Sequence, residues 1–198
     1  RIVINKKTKI DFKNQYLQNQ IPIDFINRLI LIENALPKLN FTARKSKGFE
    51  IGYFGRWAKE KRPELFIEVA STFNNKHPEV KFKMAGFNYE FNNSHLILFL
   101  GKLQNPHAIS EFYYNIKVLI ITSYREGMPL VLIEAMQHGV VVISTNVGSI
   151  AEHIVDGVTG FLIDNYTNED LIVYAINEKL KILYHNKELL NKMLRNSL

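Results

Sequence analysis

The chain has 198 residues, of which 46% are hydrophobic and 22% charged, and this composition is typical of a globular protein with one full domain. The absence of cysteine excludes disulfide frameworks, zinc–thiolate sites and thiol nucleophiles, and no apolar run approaches the roughly 18 residues that a membrane span requires. The net charge of +6 favours anionic partners, such as nucleic acid, an acidic membrane surface or the phosphates of a small ligand.

The amino-terminal part of the chain has a different pattern from the rest. Short apolar runs over 1–4 and 28–33 flank a polar helical stretch around 8–19, and a polar, basic connector follows. We expect residues 1–37 to be the end of a preceding domain with its linker, and residues 38–198 to form a separate ligand-binding domain. Because the chain does not begin with Met and lacks the apolar core of a signal peptide, we expect it to be a segment of a longer protein.

From residue 49 onward, β-rich runs alternate with helical segments. Strands are predicted over 50–54, 80–85, 96–100, 117–122, 140–144 and 159–163. Helices are predicted from Pro63, from Pro106 with Asn105 as N-cap, from about Pro129 to His138, and over 167–186 with Thr167 and Asp170 as a weak capping box. This alternation predicts an α/β fold class: a Rossmann-like, mostly parallel sheet with helices on both faces. Such sheets bind ligands at the carboxyl ends of their strands.

One strand-to-helix junction, SYREGMPLVLIEAMQHG at 123–139, begins a helix that has no good N-cap. Met128 occupies the position where Ser, Thr, Asp or Asn would accept hydrogen bonds from the first free N–H groups. Gly127 allows close backbone approach, so these groups could bind sugar hydroxyls or phosphate oxygens. Alternatively, water or the Glu126 carboxylate satisfies them.

The second carboxylate of this junction, Glu134, stands among apolar residues of the same helix. A lone buried carboxylate costs several kcal/mol unless it is paired or hydrogen-bonded. One explanation is a structural ion pair with a neighbouring Lys or Arg. The other is a ligand with vicinal hydroxyls, such as a ribose.

A second junction supplies positive charge. IGYFGRWAKEKRPELF places Gly55, Arg56 and Lys61 after a strand and before a helix, where two cations could neutralise a diphosphate. The other basic residues of the region are interpreted as solvated surface charges: Lys38, Arg44, Lys45, Lys47, Lys59 and Arg62. The chain has no DxD tripeptide and no clustered His ligands, so no metal site is predicted.

These parts together resemble the carboxy-terminal, donor-binding half of GT-B glycosyltransferases, specifically the retaining family 4, group 1 type. The resembling segments are LIENALP at 31–37, YFGRWAKEKR at 53–62, MAG at 84–86, FLGKL at 99–103, TSYREGMPLVLIEAMQHGVVVIST at 122–145 and NVGSIAEHIVDGVTGFLI at 146–163. Two positions depart from the pattern of the family: Ala35 replaces a glycine, and Ser149 stands where a second glycine is common.

The resemblance implies a role for each of the residues named above. Gly55, Arg56 and Lys61 would hold the donor diphosphate, and Glu134 would bind the nucleotide ribose. The transferred sugar would be faced by Glu126 and by the backbone of Gly127, Met128 and Leu130. Leu130 and Val131 would lie near the phosphates, and Leu103, through its backbone, near the base.

The resemblance also implies a reaction. A hexose-type sugar would pass from a nucleoside diphosphate sugar to a glycan or lipid-linked acceptor with retention, in surface polysaccharide or lipopolysaccharide synthesis. Arg56, Lys61 and Glu126 would be the catalytic groups, with neither a cofactor nor a metal. The enzyme would be cytoplasmic, with peripheral contact at the inner face of the membrane. Because the acceptor site of the family lies in the amino-terminal domain, the segment alone is expected to bind nucleotide but to transfer sugar poorly or not at all.

Other functions remain open at this point. A nucleotide-sugar 2-epimerase would share the fold, and a decayed, non-catalytic nucleotide-binding module would share the motifs. A nucleic-acid role is disfavoured, because the aromatic residues do not interleave with the basic run. His138 and His153 are interpreted as helix-end or surface residues, and Trp57 as packing under its loop.

Overall fold

The computed structural model describes residues 2–3, 30–31, 48–88, 96–164 and 166–197. Two short strands, β1 (Ile2–Val3) and β2 (Ile30–Leu31), pair in parallel as a sheet of their own. They lie within the two apolar runs of the amino-terminal part. The helix predicted around 8–19 and the connector before Gly48 lie outside the described residues.

A six-stranded sheet forms the centre of the rest of the chain, and all of its strand pairs are parallel. Its strands are β3 (Glu50–Phe54), β4 (Lys81–Ala85), β5 (Ile97–Phe99), β6 (Val118–Ile121), β7 (Val141–Thr145) and β8 (Gly160–Ile163), in the spatial order β5-β4-β3-β6-β7-β8. Each lies within one residue of its predicted bounds. The predicted α/β fold class with a parallel sheet is therefore confirmed.

The α-helices of the described residues are α1 (Pro63–Asn74), α2 (Pro106–Tyr114), α3 (Leu130–Gln137), α4 (Glu169–His185) and α5 (Lys187–Asn196). No helix in these described ranges is both long enough and apolar enough to cross a bilayer.

The caps of these helices confirm one prediction and correct two. The Asn105 side chain accepts a hydrogen bond from Ala108 N at 2.8 Å, as predicted for the start of α2. The predicted capping box at Thr167 is wrong, because α4 begins two residues later and Asn168, a better cap, accepts from Asp170 N at 2.9 Å. The N-cap residue of α3 is Pro129 rather than Met128, and no side chain caps this helix.

Helices cover both faces of the sheet, as predicted. In β6, Val118 and Ile120 point into one hydrophobic core, whereas Leu119 and Ile121 point into the other. The first core contains buried residues of α1, α4 and α5, and the second contains those of α2 and α3. With helices on both sides, all four residues of β6 are buried, which explains their continuous apolar run.

The strand order reverses between β3 and β6. After β3 the chain crosses to β4 on one side, and after β6 it crosses to β7 on the other. In open parallel sheets this divergence leaves a crevice at the carboxyl ends of the two strands. The loops that follow β3 and β6 therefore form the two walls of one site.

Arg62 connects these two loops. Its Nε donates to Thr122 O at 2.7 Å and its Nη2 to Ser123 O at 3.2 Å, while Thr122 Oγ1 lies 2.8 Å from both Lys61 O and Arg62 O. Burial lowers the pKa of the Arg62 guanidinium, and the carboxylate of Glu169, 3.5 Å from Nη1, opposes that shift. The interpretation of Arg62 as a solvated charge is wrong, since the residue is 8% exposed and bonded to two backbone carbonyls.

The loop after β7 packs against the loop after β6. Gly148 has a φ of +63°, and a Cβ atom on it would lie 2.1 Å from Glu126 O. Next to it, the N–H and the hydroxyl of Ser149 both donate to Gly127 O, at 3.1 and 2.8 Å. Backbone packing at this distance leaves room only for glycine at position 148.

We expect Arg62→Gly to lower the free energy of unfolding by about 2–4 kcal/mol, because it removes charged hydrogen bonds to buried carbonyls. Arg62 has a φ of 46°, a conformation that glycine adopts without strain, so the backbone change adds nothing to the loss. Urea unfolding measures it. Arg62→Lys keeps the charge but not the planar guanidinium, so its stability should lie between those of wild type and Arg62→Gly. An unchanged stability of Arg62→Gly would show that this link contributes nothing.

We expect Gly148→Ala to destabilise the domain by about 2–4 kcal/mol, from a left-handed backbone combined with a steric clash. Gly157→Ala is the matched control, because Gly157 has a φ of +73° but nothing lies within 4 Å of an added Cβ. The control should lose only about 1 kcal/mol of stability, which is the cost of a left-handed backbone conformation for alanine. Equal losses in thermal or urea unfolding would refute the close packing at Gly148.

Candidate functional site

A cleft of about 190 Å³ lies at the carboxyl ends of β3 and β6, at the point where the strand order reverses. It is lined by Tyr53, Phe54, Gly55, Arg56, Lys61, Ile120, Ile121, Ser123, Glu126, Pro129, Leu130 and Val131. Its walls thus come from the loop before α1 on one side and from the loop and first turn of α3 on the other.

An ion pair spans the cleft walls. Lys61 Nζ lies 2.5 Å from Glu126 Oε1, and Ser123 Oγ donates to the same oxygen at 2.6 Å. The Glu126 side chain is only 7% exposed and that of Lys61 21% exposed, so solvent screens this pair little. The pair fixes the ammonium group of Lys61 at the cleft.

The second cation of this wall, Arg56, is largely in solvent. Its side chain is 73% exposed, and its Nη2 lies 3.0 Å from Glu60 Oε1 one turn along the chain. Beneath it, Tyr53 Oη donates to Arg56 O at 3.3 Å. Burial, and next the carboxylates of Glu64 and Glu126, raise the pKa of the Tyr53 phenol. Tyr53 therefore keeps its proton and supports the loop as a hydrogen-bond donor.

The end of β4 holds this loop from behind. Gly55 N donates to Ala85 O at 3.0 Å, and a Cβ on Gly86 would lie 2.6 Å from Gly55 O. Gly86 also has a φ of +107°. The glycine of the MAG segment is thus required by close packing against the loop that carries Arg56.

The start of α3 forms the opposite wall. Pro129, Leu130 and Val131 line the cleft, and Leu130 is 47% exposed. Because no side chain caps this helix, its first N–H groups and its positive dipole end lie at the cleft. Together with the two cations of the opposite wall, this arrangement is suited to bind an anion.

Glu134 has a partner that neither sequence-based explanation included. The Tyr113 hydroxyl donates to Glu134 Oε2 at 2.8 Å, and among the described residues Glu134 makes no ion pair with Lys or Arg. Burial, and next the Glu134 carboxylate, raise the pKa of the Tyr113 phenol. The hydrogen bond from a neutral, buried phenol therefore offsets part of the cost of burying the Glu134 carboxylate, which the sequence left unexplained.

The structure brings six of the ten predicted donor-site residues into the cleft: Gly55, Arg56, Lys61, Glu126, Leu130 and Val131. The other four, Glu134, Leu103, Gly127 and Met128, do not line it. Glu134 lies one helical turn beyond Leu130 on α3. Met128 is 8% exposed, with its sulfur 3.4 Å from the Ser149 hydroxyl, Gly127 O accepts from Ser149, and Leu103 packs on the second core.

Sequence reasoning missed Ser123, Arg62 and Tyr113. Ser123 carried a signal, since a polar residue directly after a buried parallel strand stands at the ligand-binding edge of the sheet. Two residues to which the sequence assigned structural rather than functional roles occupy the expected positions. His138 caps α3 at its carboxyl end, and Trp57 packs against Phe87 with 5.4 Å between ring centroids.

No group of three or more His, Asp or Glu side chains in the described ranges is arranged to hold a metal ion. Metal independence remains a prediction.

Much of this chain is similar in sequence to proteins named for polysaccharide biosynthesis. It is 31% identical over 149 residues to the capsular polysaccharide biosynthesis glycosyltransferase CapM of Staphylococcus aureus, covering 71% of this chain and 38% of CapM. It is 32% identical over 125 residues to the Vi polysaccharide biosynthesis protein VipC/TviE of Salmonella typhi, covering 58% of this chain and 21% of that protein. The chain thus spans less than half the length of both.

Solved structures share the fold. The carboxy-terminal domain of the group 1 glycosyl transferase LpcC from Francisella tularensis aligns with a TM-score of 0.65 and 26% identity, covering 75% of this chain and 82% of that domain. TarM of S. aureus, solved with UDP, fondaparinux and α-GlcNAc-glycerol, aligns with a TM-score of 0.81 and 22% identity, covering 99% of this chain and 39% of TarM.

The family model described as "Glycosyl transferases group 1" matches residues 38–197, which include every element of the six-stranded sheet and the whole cleft. The chain belongs to the group 1 glycosyltransferases, and its α/β architecture is that of the GT-B enzymes.

Proposed function

We propose that this chain is the donor-binding half of a glycosyltransferase that moves a hexose-type sugar, with retention, from a nucleoside diphosphate sugar to a glycan or lipid-linked acceptor. The observation that carries the proposal is the cleft between β3 and β6. There, two cations and an uncapped helix start face one another across a gap of small-molecule size.

The diphosphate is the part of the donor that this cleft suits best. Lys61 is already held at the cleft by Glu126, so its charge needs no ordering when an anion binds. Arg56 is 73% exposed, and within the described part of the chain its one ion pair is with Glu60 on its own loop, so it is free to turn toward phosphate oxygens. The N–H groups of Leu130 and Val131 supply donors from the other wall.

Glu126 acts in two ways in this proposal. Its Oε1 fixes the ammonium of Lys61, and in this proposal its carboxylate faces the transferred sugar, which its position in the cleft wall supports. Glu134, one turn further along α3, binds the ribose hydroxyls of the nucleotide. Gly127 and Met128 contribute backbone groups toward the sugar, and Leu103 contributes its backbone toward the base.

The electrostatics suit departure of a nucleoside diphosphate. As the bond between the anomeric carbon and the phosphate oxygen breaks, negative charge grows on the leaving phosphate. Lys61, Arg56 and the start of α3 stabilise that charge, and such preorganised groups are usually the largest contribution to catalysis. The proposal needs no covalent nucleophile, cofactor or metal. The acceptor oxygen bonds to the anomeric carbon as the phosphate oxygen leaves, and the hydroxyl proton passes to the released nucleoside diphosphate.

The names of relatives support the proposed class of acceptor. CapM is a capsular polysaccharide biosynthesis enzyme, and WbnH of Escherichia coli, 25% identical over 158 residues, is an O-antigen biosynthesis glycosyltransferase. We therefore propose a role in surface polysaccharide or lipopolysaccharide synthesis, at the cytoplasmic face of the membrane. UDP is the first donor nucleotide to test, because it is bound in the structures of TarM and of the pneumococcal GtfA.

We expect calorimetric titration of the chain with UDP, GDP, ADP and CMP to show binding of at least one nucleoside diphosphate. Binding should persist in chelator, and the corresponding monophosphate should bind about tenfold more weakly, because it offers the two cations less charge. Failure of all the nucleotides to bind would overturn the proposal, and loss of binding in chelator would overturn its metal independence.

We expect Lys61→Met to weaken binding of that diphosphate about tenfold or more, because it removes the preordered charge of the cleft. Lys59→Met is the matched control, since Lys59 lies in the same short helical turn but is exposed and does not line the cleft. The control should bind within about twofold of wild type.

A further variant separates attraction by Lys61 from repulsion by its partner. Lys61→Met leaves the Glu126 carboxylate unpaired beside the phosphates, whereas Lys61→Met/Glu126→Gln does not. If the double variant binds as tightly as wild type, Lys61 only neutralises Glu126 and does not bind the diphosphate.

A further inference from the structure

We propose that Tyr113 is a positioning residue that orients the Glu134 carboxylate for the ribose of the bound nucleotide. By holding one carboxylate oxygen, it leaves the other to accept hydrogen bonds from the vicinal 2′- and 3′-hydroxyls. The inference rests on the proposed function, and it assigns a role to a residue of α2 that does not line the cleft.

The hydrogen bond from Tyr113 selects one oxygen of the carboxylate. Tyr113 Oη lies 2.8 Å from Glu134 Oε2, whereas its other acceptor, Val131 O, is at the long distance of 3.5 Å. Within the described residues, Glu134 Oε1 accepts no hydrogen bond. One oxygen is thus fixed by the protein, and the other is left with acceptor capacity.

The tyrosine that makes this bond cannot move readily. Tyr113 is 0% exposed, and its ring stacks on His138 with 5.0 Å between centroids and 28° between planes. His138 is itself fixed, because its Nδ1 lies 2.6 Å from Glu134 O, a contact that requires the proton on Nδ1. The phenol, the imidazole and the glutamate therefore form one rigid unit that joins α2 to α3.

The protonation state of Tyr113 agrees with this role. Burial and the adjacent carboxylate both raise the pKa of the Tyr113 phenol, so it remains a donor at every physiological pH. Its hydrogen bond to Glu134 Oε2 is therefore kept. Oε1, the other carboxylate oxygen, offers an acceptor, which suits a diol and not a phosphate.

The position of Glu134 fits a ribose bound next to the cleft. Leu130 lines the cleft, and residues four apart in a helix lie on the same face. Glu134 therefore continues the wall that begins at Leu130, beyond the region of the two cations. A nucleotide whose phosphates lie between Lys61 and the start of α3 can extend its ribose along this wall.

The test compares nucleotides with and without the two hydroxyls. We expect the 198-residue wild-type chain to bind UDP at least about tenfold more tightly than 2′,3′-dideoxy-UDP, since hydrogen bonds to a carboxylate are strong. In Tyr113→Phe this preference should fall below about threefold, with affinity for the dideoxy compound unchanged. Should the first titration favour GDP or ADP, the same pair of that nucleotide is used.

Tyr114→Phe is the matched control. Tyr114 neighbours Tyr113 on α2 and also contacts His138, with 5.0 Å between ring centroids, but no hydrogen bond joins it to Glu134. It should retain the full preference for the ribonucleotide. Glu134→Gln serves as a second variant, which should lose the preference even if Tyr113→Phe does not fold. A double variant of Tyr113→Phe and Glu134→Gln should lose no more than either alone.

The outcomes separate this inference from the proposed function. If the wild type binds none of the nucleoside diphosphates, both fall. If it binds UDP with no preference over the dideoxy compound, the diphosphate site stands and the ribose role is overturned. If Tyr113→Phe weakens both ligands equally, or keeps the preference, Tyr113 is structural and does not position Glu134.

Discussion

The ion pair of Lys61 with Glu126 joins two loops whose residues are 65 positions apart in the chain. One loop follows β3 and the other follows β6, the two strands at which the sheet changes direction. Near this pair, the Arg62 side chain joins the same two loops by donating to carbonyl oxygens of the loop after β6. Gly148 packs closely against the carbonyl oxygen of Glu126. These contacts fix the two loops relative to each other, with the cations and the start of α3 at one cleft.

Two glutamates of one short segment have different surroundings, and their chemistry differs accordingly. Glu126 accepts from an ammonium and a hydroxyl, so its charge is balanced before any ligand binds. Glu134 accepts from a buried phenol, which stabilises the carboxylate without neutralising it. In the proposed function, the first arrangement positions a cation for phosphates, and the second preserves an acceptor for hydroxyls. Spacing alone could not have separated these two roles, because it says nothing about which side chains come from other elements.

The sequence predicted the strands well because buried parallel strands have continuous apolar runs, as VLII in β6 shows. It also predicted that charged residues gather at the strand ends, since topology alone places those ends together. Arg62 and Tyr113 escaped prediction for a common physical reason. Each acts through a hydrogen bond to a residue of another element, Thr122 for Arg62 and Glu134 for Tyr113. The residues next to Arg62 or Tyr113 in the sequence do not indicate such a distant partner. The N-cap of α3 lies one residue later than predicted, because Pro129 fits the extended conformation of an N-cap residue.

The reach of Arg62 has a consequence for how this domain folds. Its guanidinium contacts a carbonyl 60 residues further along the chain, after α1, β4, β5, α2 and β6 have all been traversed. Closing a loop of that length is entropically costly, and contacts so distant in sequence tend to form late. The two walls of the cleft would thus be joined only after these intervening strands and helices have folded onto the sheet. An incompletely folded chain would therefore lack the complete cleft that captures a nucleotide.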